Sequence, residues 1–336
     1  MRSNEVAARP RRRPQLAVLA IAAALVAAAG CGGSETATPD LTTASSGPGA
    51  SVAPDPAPGT TSRPPSSASP QWQAARVSSG GAEVIVACRG EGSPAVLLMA
   101  PLATSSADAW VRTPVPDEVA GRTKVCVYDR PGIGQSVESG VEPSVPAEVE
   151  RLDAIIEQGG VGSPVVLVSE GYSTFIARAY AGEQLEKVAG MVLVDPPLWP
   201  LVVTRPDDAT PAQTREYDSV AELNDELGRY GAAALPPPPV PTLILGVDAD
   251  LPARPAGSSG TATTSPEGTA TATTAPTGAP EPPTKRRQAL QRELAQKSPF
   301  GRFQGVEGSG VEVQWWKPAV LVEAIRKVLD DPRLGR

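Results

Sequence analysis

The chain is 336 residues long, enough for one large domain or two ordinary ones. Its 38 prolines and 32 glycines, set against 4% aromatics, mean that part of this length is not packed core. The absence of histidine excludes imidazole acid–base chemistry, His metal ligands and any Ser–His or Cys–His dyad, and a net charge of −7 argues against nucleic acid as a partner.

The first segment reads as an address. Arg9, Arg11, Arg12 and Arg13 precede an apolar run from Leu16 to Ala29, which ends in Ala28-Ala29-Gly30-Cys31. A basic region, a short apolar stretch and small residues before a cut site describe a secretory signal over residues 1–30. The run falls short of the roughly 20 apolar residues that a membrane span needs. The Cys after Ala-Ala-Gly resembles a bacterial lipobox, which implies that Cys31 is lipidated and anchors an exported protein to the outer face of a membrane. The alternatives are an ordinary signal peptide with an incidental Cys, or a retained anchor. Removing the segment leaves a still more acidic chain, so attachment would rest on the lipid rather than on anionic headgroups.

Residues 31–72 are mainly Ser, Thr, Pro, Gly and Ala and predict a disordered tether. A folded domain over 73–336 follows. Short apolar runs at 83–88 (EVIVAC), 95–99 (AVLLM), 124–128 (KVCVY), 165–168 (VVLV), 190–194 (GMVLV) and 242–245 (TLIL) suit strands buried on both faces. Helical stripes lie between and after them: Val149, Leu152, Ile155 and Ile156, then Val320, Leu321, Ala324, Ile325 and Val328. This alternation predicts an α/β fold with a mainly parallel sheet and helices on both faces. Within the domain, residues 197–239 form a short, Pro-rich, acidic cap region with a helical stretch around 220–227, and 252–283 is a low-complexity insertion in a surface loop. Both low-complexity tracts could carry O-linked sugar or be bare spacers.

Four segments in order resemble the α/β-hydrolase family: Arg89–Pro94 with AVLLM, Val125–Ser136 (VCVYDRPGIGQS), Val166–Ala181 (VLVSEGYSTFIARAYA) and Val188–Pro196 (VAGMVLVDP). The family's chemistry uses a G-x-S-x-G nucleophile elbow after the fifth strand, an acid after the seventh and a His after the eighth. The matching elbow here is Ser169-Glu170-Gly171-Tyr172-Ser173, which puts Gly171 at the nucleophile position. The Ser-Gly pair that precedes the family's His is Ser309-Gly310, and Val311 follows it. Asp248 or Asp250 is a remnant acid or a solvated loop carboxylate. Pro101 stands in the oxyanion turn where a glycine is expected, and has no N–H to give.

The resemblance therefore implies the fold without its catalytic residues. Ser169, Ser173, Ser105 and Ser106, with Glu170 or a Lys as base, are candidate nucleophiles for an unfamiliar serine chemistry, although Ser173 suits a helix cap and Ser169 ends a buried strand. Asp129, Asp195, Asp248 and Asp250 lie on different loops without metal-ligand spacing, and no cofactor is expected. The Asp129-Arg130-Pro131-Gly132 turn reads as an ion-paired scaffold. Trp315 and Trp316 line a cleft or pack under the last helix. The strand order implied by the resemblance makes the second and fourth strands neighbours, so Cys88 and Cys126 can form a disulfide in an oxidising compartment, or remain two small buried hydrophobes. Three functions follow as expectations: binding of a small apolar ligand or an envelope protein, hydrolysis of esters or amides at an atypical site, and a scaffold that presents a surface.

Overall fold

The computed structural model describes residues 71–140, 143–197, 205–230, 237–248 and 283–334. The proposed signal, Cys31, most of the tether, Asp250 and nearly all of the 252–283 insertion lie outside these residues.

The chain enters through a hairpin, β1 (Gln73–Ser79) and β2 (Ala82–Arg89). Its two-residue turn is Gly80-Gly81, both with positive φ (55° and 76°), the backbone that tight hairpins need and that glycine adopts without a Cβ clash. Next come β3 (Ala95–Met99), a π-helical turn at Ala107–Val111, α1 (Val115–Ala120) and β4 (Val125–Tyr128). Then follow α2 (Val145–Gln158), β5 (Val165–Glu170), α3 (Ser173–Glu183) and β6 (Val188–Val194). The chain ends with α4 (Pro211–Tyr230), β7 (Thr242–Val247), α5 (Pro283–Gln296), β8 (Gly301–Val306), α6 (Val313–Trp316) and α7 (Pro318–Leu329).

The strands form one eight-stranded sheet in the order β1-β2-β4-β3-β5-β6-β7-β8. β1 and β2 run antiparallel to their neighbours, and every pair from β4 to β8 is parallel. Parallel strands need crossovers, which the helices supply. Residue alternation divides the core. Leu97, Met99, Val165, Leu167, Met191 and Leu193 face the layer of α2 and α3. Val96, Leu98, Val166, Val168, Val192 and Val194 face the layer of α1 and α7. Both faces are covered, so these strands are continuous apolar runs rather than alternating ones.

Helix α2 starts at Ser144, whose hydroxyl accepts the Ala147 N–H at 3.3 Å, and buries Val149, Leu152, Ile155 and Ile156 as the stripe predicts. Strands β2 and β4 are adjacent, with Cys88 and Cys126 as direct partners. Their Cα atoms are 4.1 Å apart and the two side chains form a disulfide.

Several boundaries differ from the sequence reading. Trp72, assigned to the tether, stacks on Arg89 at 4.9 Å and packs against the core, so the folded domain includes it. Pro283, assigned to the insertion, opens α5. The cap helix runs from Pro211 to Tyr230, well beyond the stretch around 220–227. Strands β1 and β8 have too few buried apolar positions to stand out locally, with one fully buried residue each.

Candidate functional site

Open parallel sheets place ligand and catalytic groups at the C-terminal ends of their strands. Here that edge gathers the loops after β3, β4, β5, β6, β7 and β8. Gly171 follows β5 directly and has φ +54°, the left-handed conformation in which a Cβ is strained. Its N–H donates to the Val194 carbonyl at 3.1 Å, and its carbonyl accepts from Thr174 N–H at 3.1 Å and Thr174 Oγ1 at 2.7 Å. The turn is thus held by backbone and Thr174, not by any side chain at its apex. A Cβ on Gly171 would meet only Pro101 Cβ, at 3.8 Å.

The neighbouring serines have other duties. Ser173 Oγ accepts the Glu170 N–H at 3.0 Å and faces the Met99 and Glu170 carbonyls, each at 3.0 Å, to which it donates. Ser169 is wholly buried and its hydroxyl has no partner among the described residues. Ser105 Oγ accepts the Asp108 N–H at 3.1 Å and donates to Asp108 Oδ2 at 2.7 Å. Ser106 is buried, and its N–H donates to Asp129 Oδ1 at 2.6 Å.

Glu170, one residue before the turn, faces the opposite side of the sheet. It is buried and accepts a hydrogen bond from Gln314 Nε2 of α6 at 2.7 Å. Burial pushes its pKa up to about 8; the Gln314 bond opposes the shift, while Glu312 and Asp195 reinforce it. Asp195, after β6, has φ +46° and is buried, held by Arg287 at 2.5 Å and Gln291 at 2.9 Å, both from α5. Burial raises its pKa too, against the pull of Arg287 and Gln291.

Beyond β8, Val311 is 38% exposed while Ser309 is fully buried. Asp248 ties the two loops together: its N–H donates to the Ser309 carbonyl at 2.9 Å and its Oδ2 accepts the Gly308 N–H at 2.6 Å. Trp315 Nε1 donates to the Asp108 carbonyl at 3.3 Å, so this indole braces the loops after β8 and β3.

The Asp129-Arg130 turn is held by a carboxylate that accepts backbone N–H groups and by a long-range ion pair. Asp129 takes the backbone N–H groups of Ser106 and Gln135, at 2.6 and 2.9 Å. Arg130 pairs with Glu216 of α4, through Nε at 2.7 Å and Nη2 at 2.9 Å, with both side chains buried. Burial pulls the Arg130 pKa down, but the charge and hydrogen bonds of Glu216, together with Tyr128 and Glu148, hold it above its ordinary value. No signal in the sequence marked Glu216, because its partner lies 86 residues away.

A cleft of about 750 Å³ lies between α5 and the ends of β7 and β8, lined by Asp248, Thr284, Lys285, Gln288, Arg292 and Glu307 among others. It is rich in charge and Gly171 is not among its lining residues, so it is not the apolar cleft that the family resemblance leads one to expect at the elbow.

Residues 92–324, well over half of the chain, match the alpha/beta hydrolase family. Seventy-three residues are 38% identical to an uncharacterised protein of Schizosaccharomyces pombe, and 110 residues are 28% identical to an uncharacterised protein of Bacillus subtilis. These stretches cover 22% and 33% of this chain and 14% and 42% of the relatives, so the match spans less than half of either relative. The crystal structure of a serine hydrolase involved in carbazole degradation superimposes with a TM-score of 0.55 at 16% identity, covering 77% of this chain and 99% of that one. At that identity what is shared is the fold.

Proposed function

The chain belongs to the alpha/beta hydrolase family, and we propose that it is a member that works by binding rather than by cleavage. The observation that carries this reading is Gly171 at the turn between β5 and α3, where the family resemblance puts the nucleophile. A residue without a side chain forms no covalent intermediate. Two further features support the reading. The full sequence has no histidine to act as base. The hydroxyls of Ser169 and Ser173 are buried, the second committed to backbone groups. What the protein would bind is a small apolar ligand or an envelope protein.

The test uses a serine-directed fluorophosphonate and short p-nitrophenyl esters. No labelling and no turnover above a denatured control are expected. Labelling that disappears with Ser169→Ala or Ser173→Ala would show that the protein is a hydrolase of an unfamiliar kind.

Location belongs to the same proposal. Residues 1–30 serve as an export signal, and lipidated Cys31 holds the domain at the outer face of a membrane. Cys31→Ala should release or mislocalise the protein. An uncleaved variant that stays with the membrane would instead identify the segment as a retained anchor.

A further inference from the structure

The loops after β3 and β4 converge on one buried side chain. Arg130 donates through Nη1 to the Ala100 carbonyl at 2.8 Å and through Nη2 to the Pro101 carbonyl at 2.6 Å. These two bonds orient the guanidinium without help from the cap. Its remaining donors, Nε and Nη2, reach the two oxygens of Glu216 at 2.7 and 2.9 Å, and the Ala103 N–H donates to Glu216 Oε2 at 2.6 Å. A bidentate guanidinium with a backbone amide beside it is the donor set that recognises a carboxylate.

This cradle borders the empty elbow. Pro101, which holds Arg130 through its carbonyl, is also the nearest neighbour of the space where a Gly171 side chain would lie. Tyr172, the next residue, is buried with its ring centroid 5.7 Å from the guanidinium carbon. Leu102, packed against the core, and buried Ala103 add apolar surface. All of these groups belong to the sheet edge. The carboxylate comes from α4, whose described residues meet this edge through polar contacts, Gln213 to the Ala103 carbonyl at 2.8 Å and Arg215 to Glu138, and through the buried side chain of Ala212 against the Gly132 turn.

We propose that Arg130 and the Ala103 N–H form a carboxylate-binding site beside Gly171, which Glu216 occupies as an internal ligand, and that an alkyl carboxylate takes its place when α4 lifts. The inference rests on the reading of the chain as a binding protein and names the ligand class. A tethered carboxylate competes at high effective concentration, so the unsubstituted protein binds the ligand weakly and removal of Glu216 unmasks the site.

The experiment titrates the full chain and its Glu216→Ala variant with sodium butyrate, with butyramide and with sodium chloride at matched ionic strength, by calorimetry and thermal melting. Glu216→Ala is expected to bind butyrate at least about tenfold more tightly than the unsubstituted chain, since the open state is no longer suppressed by the internal carboxylate. Butyrate, but neither butyramide nor chloride, is expected to raise the variant's Tm, and adding Arg130→Met is expected to abolish the effect. A folded Glu216→Ala variant that ignores butyrate overturns the proposal. So does one that takes butyramide equally well, although that result leaves the binding-protein reading standing; the latter fails separately, by fluorophosphonate labelling. Should Glu216→Ala not fold, Glu216→Gln takes its place, since its neutral amide keeps the shape of the internal ligand but competes less for the guanidinium: its Ala103 amide resonance shifts on butyrate titration if the site exists, and a stationary resonance overturns the proposal.

Discussion

Replacing Glu170 by Gln tests the electrostatics of the elbow directly. The buried carboxyl holds a proton that the unfolded chain releases, with a pKa of about 8 against an ordinary value of 4.5. Its contribution to stability is therefore fully present below pH 4.5 and lost as the pH rises through 8. At about 1.36 kcal/mol per pKa unit, linkage predicts that the folded state loses about 3–4 kcal/mol from this group between pH 5 and pH 8. Glutamine keeps the shape of the protonated acid and can still accept the Gln314 hydrogen bond, yet has no proton to lose. Urea denaturation at pH 5, 6, 7 and 8, followed by circular dichroism, should find Glu170→Gln within about 1 kcal/mol of the parent at pH 5. At pH 8 the variant should be more stable by about 3 kcal/mol. Glu148, another buried acid with a raised value, titrates in both proteins and cancels in the difference, whereas Asp195 is coupled to Glu170 and leaves a smaller contribution in it. Parallel profiles, or a variant less stable at pH 8, would refute the reasoning, because the carboxyl would then be ionised in the folded protein.

Gly171→Ser should lower stability by about 1–2 kcal/mol through its left-handed backbone alone, since its Cβ has room. The same variant should gain no ester hydrolysis in a p-nitrophenyl acetate assay; activity would mean that a base other than His serves the site. Cys88→Ala with Cys126→Ala should lower stability by about 4 kcal/mol in the chain-entropy account of a cross-link between residues 38 apart. Denaturation with and without reductant measures it, and an unchanged midpoint would mean that the bond does not form in solution.

Much of the architecture was legible locally. Apolar runs such as AVLLM and VVLV announce strands covered on both faces, and the Val149–Ile156 stripe announces the helix that covers one of them. The elbow was readable through the family resemblance, which puts Gly171 at its apex, and the structure sets Gly171 between β5 and α3. The Cys88–Cys126 pairing came through family resemblance, and the adjacency of β2 and β4 explains it.

The edge strands and the wiring of the site needed the fold. β1 and β8 carry one buried face or less, so their periodicity is too weak to separate from loop. Glu170 meets Gln314 across 144 residues, and Arg130 meets Glu216 across 86. Hydrophobic periodicity specifies which face of an element is buried. It carries no record of which polar side chain, brought from a distant segment, will stand opposite. A buried charge must find a partner, since leaving it alone costs more than the fold can lose. The chain's composition sets that demand, and only the packed arrangement of loops at the sheet's edge decides who answers it.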